Sequence, residues 1–381
     1  MCKNYLCQLI LSIENIILNL IQKVLFCKHK SEFFNICIYR VANIGDTITA
    51  IPAMVKIRKK YPKAKITLLT SPGKETAIGA SEVLENISWL DEIETYYEKD
   101  INSINNLFNF IKKERRKKYD LFIQLPVENI TFKTALRNMV FAKLIGANKA
   151  CGFYISTINL FVKAQAKYGN FSNDVVRLID GLPWSDAEPI TFPIEIEDKD
   201  KVFVDNILNE NFIYKRNKIM VISFSGKGEA KKWDNDRFSQ IAKLWIEQKF
   251  GNVIIIGGKG EIKEANRIIA GLPNNMVINL CGKLSIKQSI WLLKKVSFLL
   301  TIDTGTAHMA AAMGTACIEV FSAFYLPGRW VAYGDKVTVI RMNLKCSPCM
   351  NKTCKFGVIA RCMNAITVDE VWHRIERILG E

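Results

Sequence analysis

Acidic residues are scarce in this 381-residue chain. There are 37 Asp and Glu against 53 Lys and Arg, a net charge of +16. That excess favours an anionic partner, whether nucleic acid, a phosphorylated small molecule or an anionic membrane surface, and a merely solvated basic surface is the bland alternative. No aromatic-basic platform or recognised nucleic-acid motif is present, so nucleic acid is not the expected partner. No Gly-Lys-Ser/Thr follows a glycine loop, which excludes a Walker phosphate site. Short-period repeats and low-complexity tracts are missing, which argues against a solenoid or a disordered linker. An unbroken apolar run long enough to span a bilayer is missing too. The N-terminal stretch is interrupted by Glu14, Asn15, Asn19 and Gln22, and no small-residue cleavage site follows it, so neither a membrane span nor a signal peptide is expected.

What is present is globular. Hydrophobic residues make up 49% and charged residues 24%, a composition that builds a substantial core. A chain this long is expected to form about two domains. Residues 1–30 read as an amphipathic helix, because Leu6, Leu9, Ile10, Ile13, Ile16, Ile17, Leu20, Ile21, Val24 and Leu25 recur every three or four positions. It ends in Lys28, His29 and Lys30. Such a helix either lies on a membrane surface or packs on the protein itself, and periodicity does not choose. Seven of the eleven cysteines are scattered, several in apolar runs such as Asn35-Ile36-Cys37-Ile38. Free thiols there act as small hydrophobes, which points to a reducing, cytoplasmic setting.

From about residue 35 onward, short apolar runs alternate with segments of helical period. Strands are expected at 35–41, 66–70 and 121–125, with helices at 47–60 and 131–144. After Glu188-Pro189-Ile190-Thr191-Phe192-Pro193, a plausible connection punctuated by two prolines, the alternation restarts. A helix at 198–211 is followed by strands at 219–223, 253–257, 298–302 and 316–320. Helices fill 234–248, 260–271 and 285–295 between them. Alternation of this kind predicts two doubly wound parallel α/β units. Ligands then bind beyond the carboxyl ends of the strands, with a cleft between the two domains as the expected place.

Four strand-to-helix loops carry polar chemistry. Arg40-Val41-Ala42-Asn43-Ile44-Gly45-Asp46 puts Asp46 at a helix start, where it either caps orphan amides or accepts a proton from an attacking hydroxyl. Ser223 to Trp233, rich in glycine and lysine and including Lys231, suits a diphosphate or is an ordinary basic loop. Ile256-Gly257-Gly258-Lys259-Gly260-Glu261 places Glu261 where it can bind ribose hydroxyls or simply favour the helix dipole. Asp303-Thr304-Gly305-Thr306-Ala307-His308 is the sharpest. Asp303, Thr304 and His308 are too polar to pack a small-residue helix on a sheet, and are expected to face the crevice.

These loops resemble glycosyltransferase family 9, the heptosyltransferases of lipopolysaccharide assembly. The resemblance rests on the Gly-Asp loop with Pro52, Arg58 and Tyr61-Pro62, on Lys231 to Trp233, on Gly257-Gly258 with Glu261, on Asn279 to Gly282, and on Asp-Thr-Gly-x-x-His at 303–308. They recur in family order from about 36 to 375. The resemblance implies a GT-B fold, two facing Rossmann-like domains with an interdomain cleft. Residues 31–187 would be the acceptor domain, 188–365 the nucleotide-sugar donor domain and 366–381 a C-terminal helix. It implies an inverting transferase that uses ADP-heptose and a lipid-anchored core glycan and requires no cofactor. Asp46 matches the catalytic base, Lys231 a diphosphate ligand, Glu261 a ribose ligand, and Asp303, Thr304, Gly305 and His308 the donor loop. Three features depart from the family: Asp234 stands where Pro often follows the Trp, the loop before Lys231 is unlike the usual His-Pro-Gly-Ala-Ser, and the N-terminal 30 residues add something the core family lacks. Another nucleotide sugar, a protein acceptor, or a non-catalytic nucleotide-sugar-binding protein are the alternatives. A basic, membrane-anchored-acceptor enzyme would associate peripherally with anionic lipid at the inner face of the inner membrane.

Cys346-Ser347-Pro348-Cys349, Cys354 and Cys362 stand apart from these loops. The first pair has zinc-knuckle spacing, and four thiolates would close a structural zinc site. A cluster of free thiols or a disulfide are the other readings, the disulfide disfavoured in a reducing compartment.

Overall fold

A computed structural model describes residues 2–27, 32–128, 130–156, 171–184, 188–211 and 218–380. The expected basic helix end at Lys28, His29 and Lys30 lies outside them. The chain divides into two compact units, Met1–Glu195 and Ile196–Glu381. The proline-punctuated segment belongs to the first: Lys56 Nζ donates to Glu188 O, Trp89 Nε1 to Pro193 O, and the Ser88 amide to Glu195 Oε1.

The first unit begins with α1 (Cys2–Leu25) and continues β1 (Asn35–Val41), α2 (Ile44–Lys60), β2 (Lys65–Gly73), α3 (Ser81–Leu84), β3 (Glu92–Tyr97), α4 (Ile104–Arg115), β4 (Leu121–Gln124), α5 (Phe132–Leu144), β5 (Lys149–Cys151) and α6 (Asp174–Asp180). Its five strands are ordered β3-β2-β1-β4-β5 and all pair in parallel. Strand β1 is central and covered on both faces, so Ile36, Cys37 and Ile38 are all buried and the strand reads as an unbroken apolar run. The chain runs outward from β1 to β3, then crosses to β4 on the other side. The topological switch point therefore lies between the carboxyl ends of β1 and β4.

The second unit holds α7 (Asp198–Asn211), β6 (Lys218–Ser223), α8 (Asn235–Glu247), β7 (Gly251–Ile255), α9 (Ile262–Ile268), β8 (Val277–Asn279), α10 (Ile286–Lys295), β9 (Phe298–Ile302), α11 (Gly305–Ala312), β10 (Ala316–Val320), β11 (Val337–Ile340), α12 (Arg361–Asn364) and α13 (Val368–Leu379). Six parallel strands follow the order β11-β10-β9-β6-β7-β8, so here the switch point falls between β6 and β9. The core is built on Trp233, Phe238, Trp245 and Phe298 with the strand interiors. Trp233 Nε1 donates to Ile366 O, which ties the loop after β6 to the segment leading into α13. Helix α13 itself packs on α8 and β10 of this unit.

Candidate active site

In the first unit, Asp46 stands at the switch point, on the first turn of α2. Two atoms hold it. Its Oδ2 accepts from the Asn43 amide at 3.3 Å, and Arg40 Nη2 lies 3.8 Å from its Oδ1. The carboxylate is thus a capping group and remains 22% exposed, so it still reaches solvent. Arg40 organises the place. Wholly buried at the end of β1, it donates to Pro126 O (2.7 Å) and Leu125 O (3.3 Å) from the neighbouring β4 loop and to Asp46 O (3.2 Å). Its other partner is Asp174, at 3.4 Å, which also pairs with Arg177 at 2.6 Å. Burial opposes the charge on Arg177, but Asp174 outweighs it and raises the guanidinium's pKa. Two buried cations thus share one buried anion, and carbonyls of Leu125, Pro126 and Asp46 take up further N–H groups of the pair, while Arg40 Nε is left without a partner.

In the second unit the expected donor residues gather on adjacent loops, since β9, β6 and β7 are neighbours in the sheet. Lys231 Nζ lies 2.8 Å from Asp303 Oδ2, with side chains 24% and 8% exposed. Thr304 caps α11, accepting from the Thr306 amide at 3.2 Å, and the Thr306 hydroxyl meets Ser223 Oγ at 3.1 Å. Gly305 opens that helix, and His308 is buried one turn further on. Gly226 is required by close approach: a Cβ there would come 2.7 Å from Thr304 Cγ2. The loop before Lys231 is therefore pressed onto the 303–306 turn. Glu261 folds back on its own turn, its Oε2 accepting from the Gly258 amide at 2.6 Å, and a Cβ at Gly257 would come 2.1 Å from that oxygen, so the Glu261 side chain would have to shift. Asn279 to Gly282 brace the same turn, with the Gly282 amide donating to Gly257 O.

One residue near this cluster escaped sequence reasoning. Glu319 is fully buried on β10, one oxygen accepting from the Ala332 amide at 3.1 Å and the other without a hydrogen-bond partner. Burial, reinforced by the negative charge of Asp303 and opposed by Lys231, pushes its carboxyl far above the usual range. The signal was available: a single acid inside Ala316-Cys317-Ile318-Glu319-Val320 violates an otherwise apolar strand.

The four clustered cysteines are placed apart from one another's expected zinc geometry. Among the described residues no three His, Cys, Asp or Glu side chains come together as a metal group, and all four thiols are free. Cys362 is buried in the second core, its Sγ 3.6 Å from Ser322 Oγ. As placed, these residues do not fit a four-thiolate site. The 344–354 segment instead braces the donor loop: Lys352 O accepts from the Ala230 amide at 3.0 Å, and the Met350 amide donates to Phe324 O at 2.7 Å. Phe324 in turn lies under Lys231, 6.0 Å from ring centre to Nζ.

The profile of glycosyltransferase family 9 (heptosyltransferase) matches residues 108–360. The chain belongs to this family. Lipopolysaccharide core heptosyltransferase OpsX of Haemophilus influenzae is 25% identical to it over 319 residues, 80% of this chain and 84% of that protein. Among solved structures, a family 9 glycosyltransferase from Veillonella parvula superposes with a TM-score of 0.73 at 18% identity, covering 92% of this chain and 98% of the other. E. coli ADP-heptose LPS heptosyltransferase II gives 0.64 at 18% identity, over 91% and 98%. These likenesses show the fold, GT-B as the sequence led us to expect, and family membership makes the protein a glycosyltransferase. The family match covers the whole second-unit cluster of Lys231, Glu261, Asp303, Thr304, Gly305 and His308. Asp46 lies before the matched range.

Proposed function

We propose that this family 9 enzyme transfers heptose from ADP-heptose to a lipid-anchored acceptor of the lipopolysaccharide inner core, with inversion at the anomeric carbon. The observation that carries the reading is the Lys231–Asp303 pair at the second unit's switch point, flanked by the Thr304-capped start of α11. A cation and helix-start amides beside a glycine-bearing turn suit the diphosphate of a nucleotide sugar. Lys231 stabilises the charge that gathers on the departing ADP. Thr304, Gly305 and His308 shape the turn, and Glu261, once released from the Gly258 amide, offers its carboxylate to the ribose hydroxyls. Asp46 takes the proton of the attacking acceptor hydroxyl. The acceptor oxygen forms its bond to the anomeric carbon from the side opposite ADP, which leaves with the electron pair of the broken C–O bond. Such an acceptor places the reaction at the cytoplasmic face of the inner membrane.

The test has two arms. Thermal unfolding with a panel of nucleotide sugars should show stabilisation by ADP-heptose over UDP-sugars, and the reverse preference rejects the donor. Mass spectrometry of lipopolysaccharide from a strain lacking the protein should show a core short of one heptose, and an intact core rejects the acceptor.

A further inference from the structure

Helices α1, α4 and α5 form one layer of the first unit. Helix α5 packs against both of the others, and the inner sides of all three share one apolar cluster that includes Leu18, Phe110 and Met139. Helix α1 is firmly seated. Asn15 uses both ends of its amide on one residue, donating to Ile155 O at 2.9 Å and accepting from Ile155 N at 2.8 Å. Leu18 is wholly buried, and Lys143 Nζ on α5 donates to Leu25 O at 2.6 Å.

The outer side of the layer is apolar as well. On α1, Leu9, Ile13, Ile16, Leu20 and Val24 fall on one stripe and are 47–77% exposed. On α4, Ile104, Leu107 and Phe108 are exposed, and on α5 Val140 and Leu144 continue a stripe begun by Lys133 and Arg137. A helix apolar on every side is at rest only when both sides are covered, and the described residues cover one. Charge selects the cover. The three helices hold eight Lys and Arg, two on α1, three on α4 and three on α5, against Glu14 and the buried Glu114. A second copy would set this basic face against itself, because a two-fold interface pairs like with like. An anionic surface meets both the apolar stripes and the lysines that flank them. Residues 8–25 are long and apolar enough to cross a membrane, but spanning would break both Asn15 bonds and strip the cover from Leu18.

We propose that the outer side of the α1–α4–α5 layer seats on an anionic lipid surface, with α1 lying in the interfacial plane. This goes beyond the transfer reaction, since the surface would serve any lipid-anchored acceptor. It is also tested apart from it: donor stabilisation is measured without lipid, and lipid binding without donor.

The experiment is flotation of the full chain with vesicles of phosphatidylcholine alone or with phosphatidylglycerol added. The protein should float with the anionic vesicles only, and the bound fraction should fall as salt rises. Lys112→Gln with Lys133→Gln, both exposed, should lower the partition coefficient about fivefold per lysine. The triple variant Leu9→Gln, Ile16→Gln, Leu20→Gln should lower it about a hundredfold. Thermal unfolding of both variants should match the parent, since all these side chains point to solvent. Alkaline carbonate should strip the bound protein from vesicles. The proposal is overturned by equal binding to neutral vesicles, by no binding, by retention through carbonate, or by a dimer in lipid-free sedimentation that the triple variant dissolves.

Discussion

Replacing Lys231 with Met removes an ammonium and keeps its apolar stem. In the free protein that ammonium sits 2.8 Å from Asp303 Oδ2. A diphosphate at the same turn would bring its charge to ~4 Å from Nζ, where one charge pair is worth ~4 kcal/mol at an effective dielectric of about 20. Two effects reduce this. Asp303 competes for the same cation, and a side chain 24% exposed is partly screened. Roughly 2–3 kcal/mol remains, or a ~30- to 150-fold fall in kcat/KM. Because the leaving diphosphate carries more charge in the transition state than in the bound donor, most of the loss should appear in kcat. Stability must be followed in parallel: Asp303, only 6% exposed, loses its partner, and stranding a buried charge is destabilising by up to ~3 kcal/mol. Lys231→Arg separates the two effects by keeping a cation for Asp303. The assay is the initial rate of ADP release with ADP-heptose and acceptor, at temperatures where unfolding curves show each variant folded. If folded Lys231→Met retains kcat/KM within twofold of the parent, the ammonium does not serve the diphosphate, and the donor loop has to be reassigned.

Asp46→Ala should cut kcat by two orders of magnitude or more while donor-induced stabilisation stays unchanged, and comparable turnover would remove Asp46 from the base role. Glu319→Gln tests the buried carboxyl. Its folded pKa is raised, so the native state keeps a proton that the unfolded chain gives up above about pH 4.3, and stability falls by ~1.4 kcal/mol per pH unit above that point while the native carboxyl stays protonated; urea unfolding should therefore show Glu319→Gln gaining on the parent between pH 5 and 7, and a pH-independent difference would contradict it. Gly226→Ala drives a Cβ toward Thr304 and should cost about 1 kcal/mol through the disturbed cap, read by thermal unfolding. Asn15→Ala removes two hydrogen bonds and should weaken the seating of α1 by ~1–3 kcal/mol, visible as faster hydrogen exchange confined to α1.

Legibility followed burial. Central strands such as β1, β7 and β9 are covered on both faces and announce themselves as apolar runs. Helix α7 was expected at 198–211 and spans Asp198–Asn211. The edge strand β3 was missed because its outer positions are acids. Glu92 and Glu94 are satisfied by Lys65, Lys113 and Lys117 from elsewhere in the chain, so Glu-Ile-Glu-Thr-Tyr-Tyr shows no unbroken run. Helix α4 was hidden for a related reason, its exposed Ile104, Leu107 and Phe108 mixing with asparagines to blur the inner face. For the cysteines, spacing along the chain is not proximity in space: Cys362 follows the others closely but is committed to the core.

The sites sort by the same logic. Loops at strand ends were legible because glycine and polar residues interrupt apolar sequence there, and the 303–308 turn is such an interruption. What stayed hidden was the support beneath. Arg40 reads as an ordinary strand-end cation, and its buried partner Asp174 lies 134 residues away. A distance along the chain gives no sign that the two meet, yet that pair anchors the turn carrying Asp46. Glu319 is the instructive contrast, because its misfit is local. An acid inside a five-residue apolar strand is either paired or protonated, and both outcomes need a nearby charge or a dry pocket. Here the charges that act on it are Asp303 and Lys231, so one out-of-place residue in β10 already points to the loop where the donor chemistry is proposed.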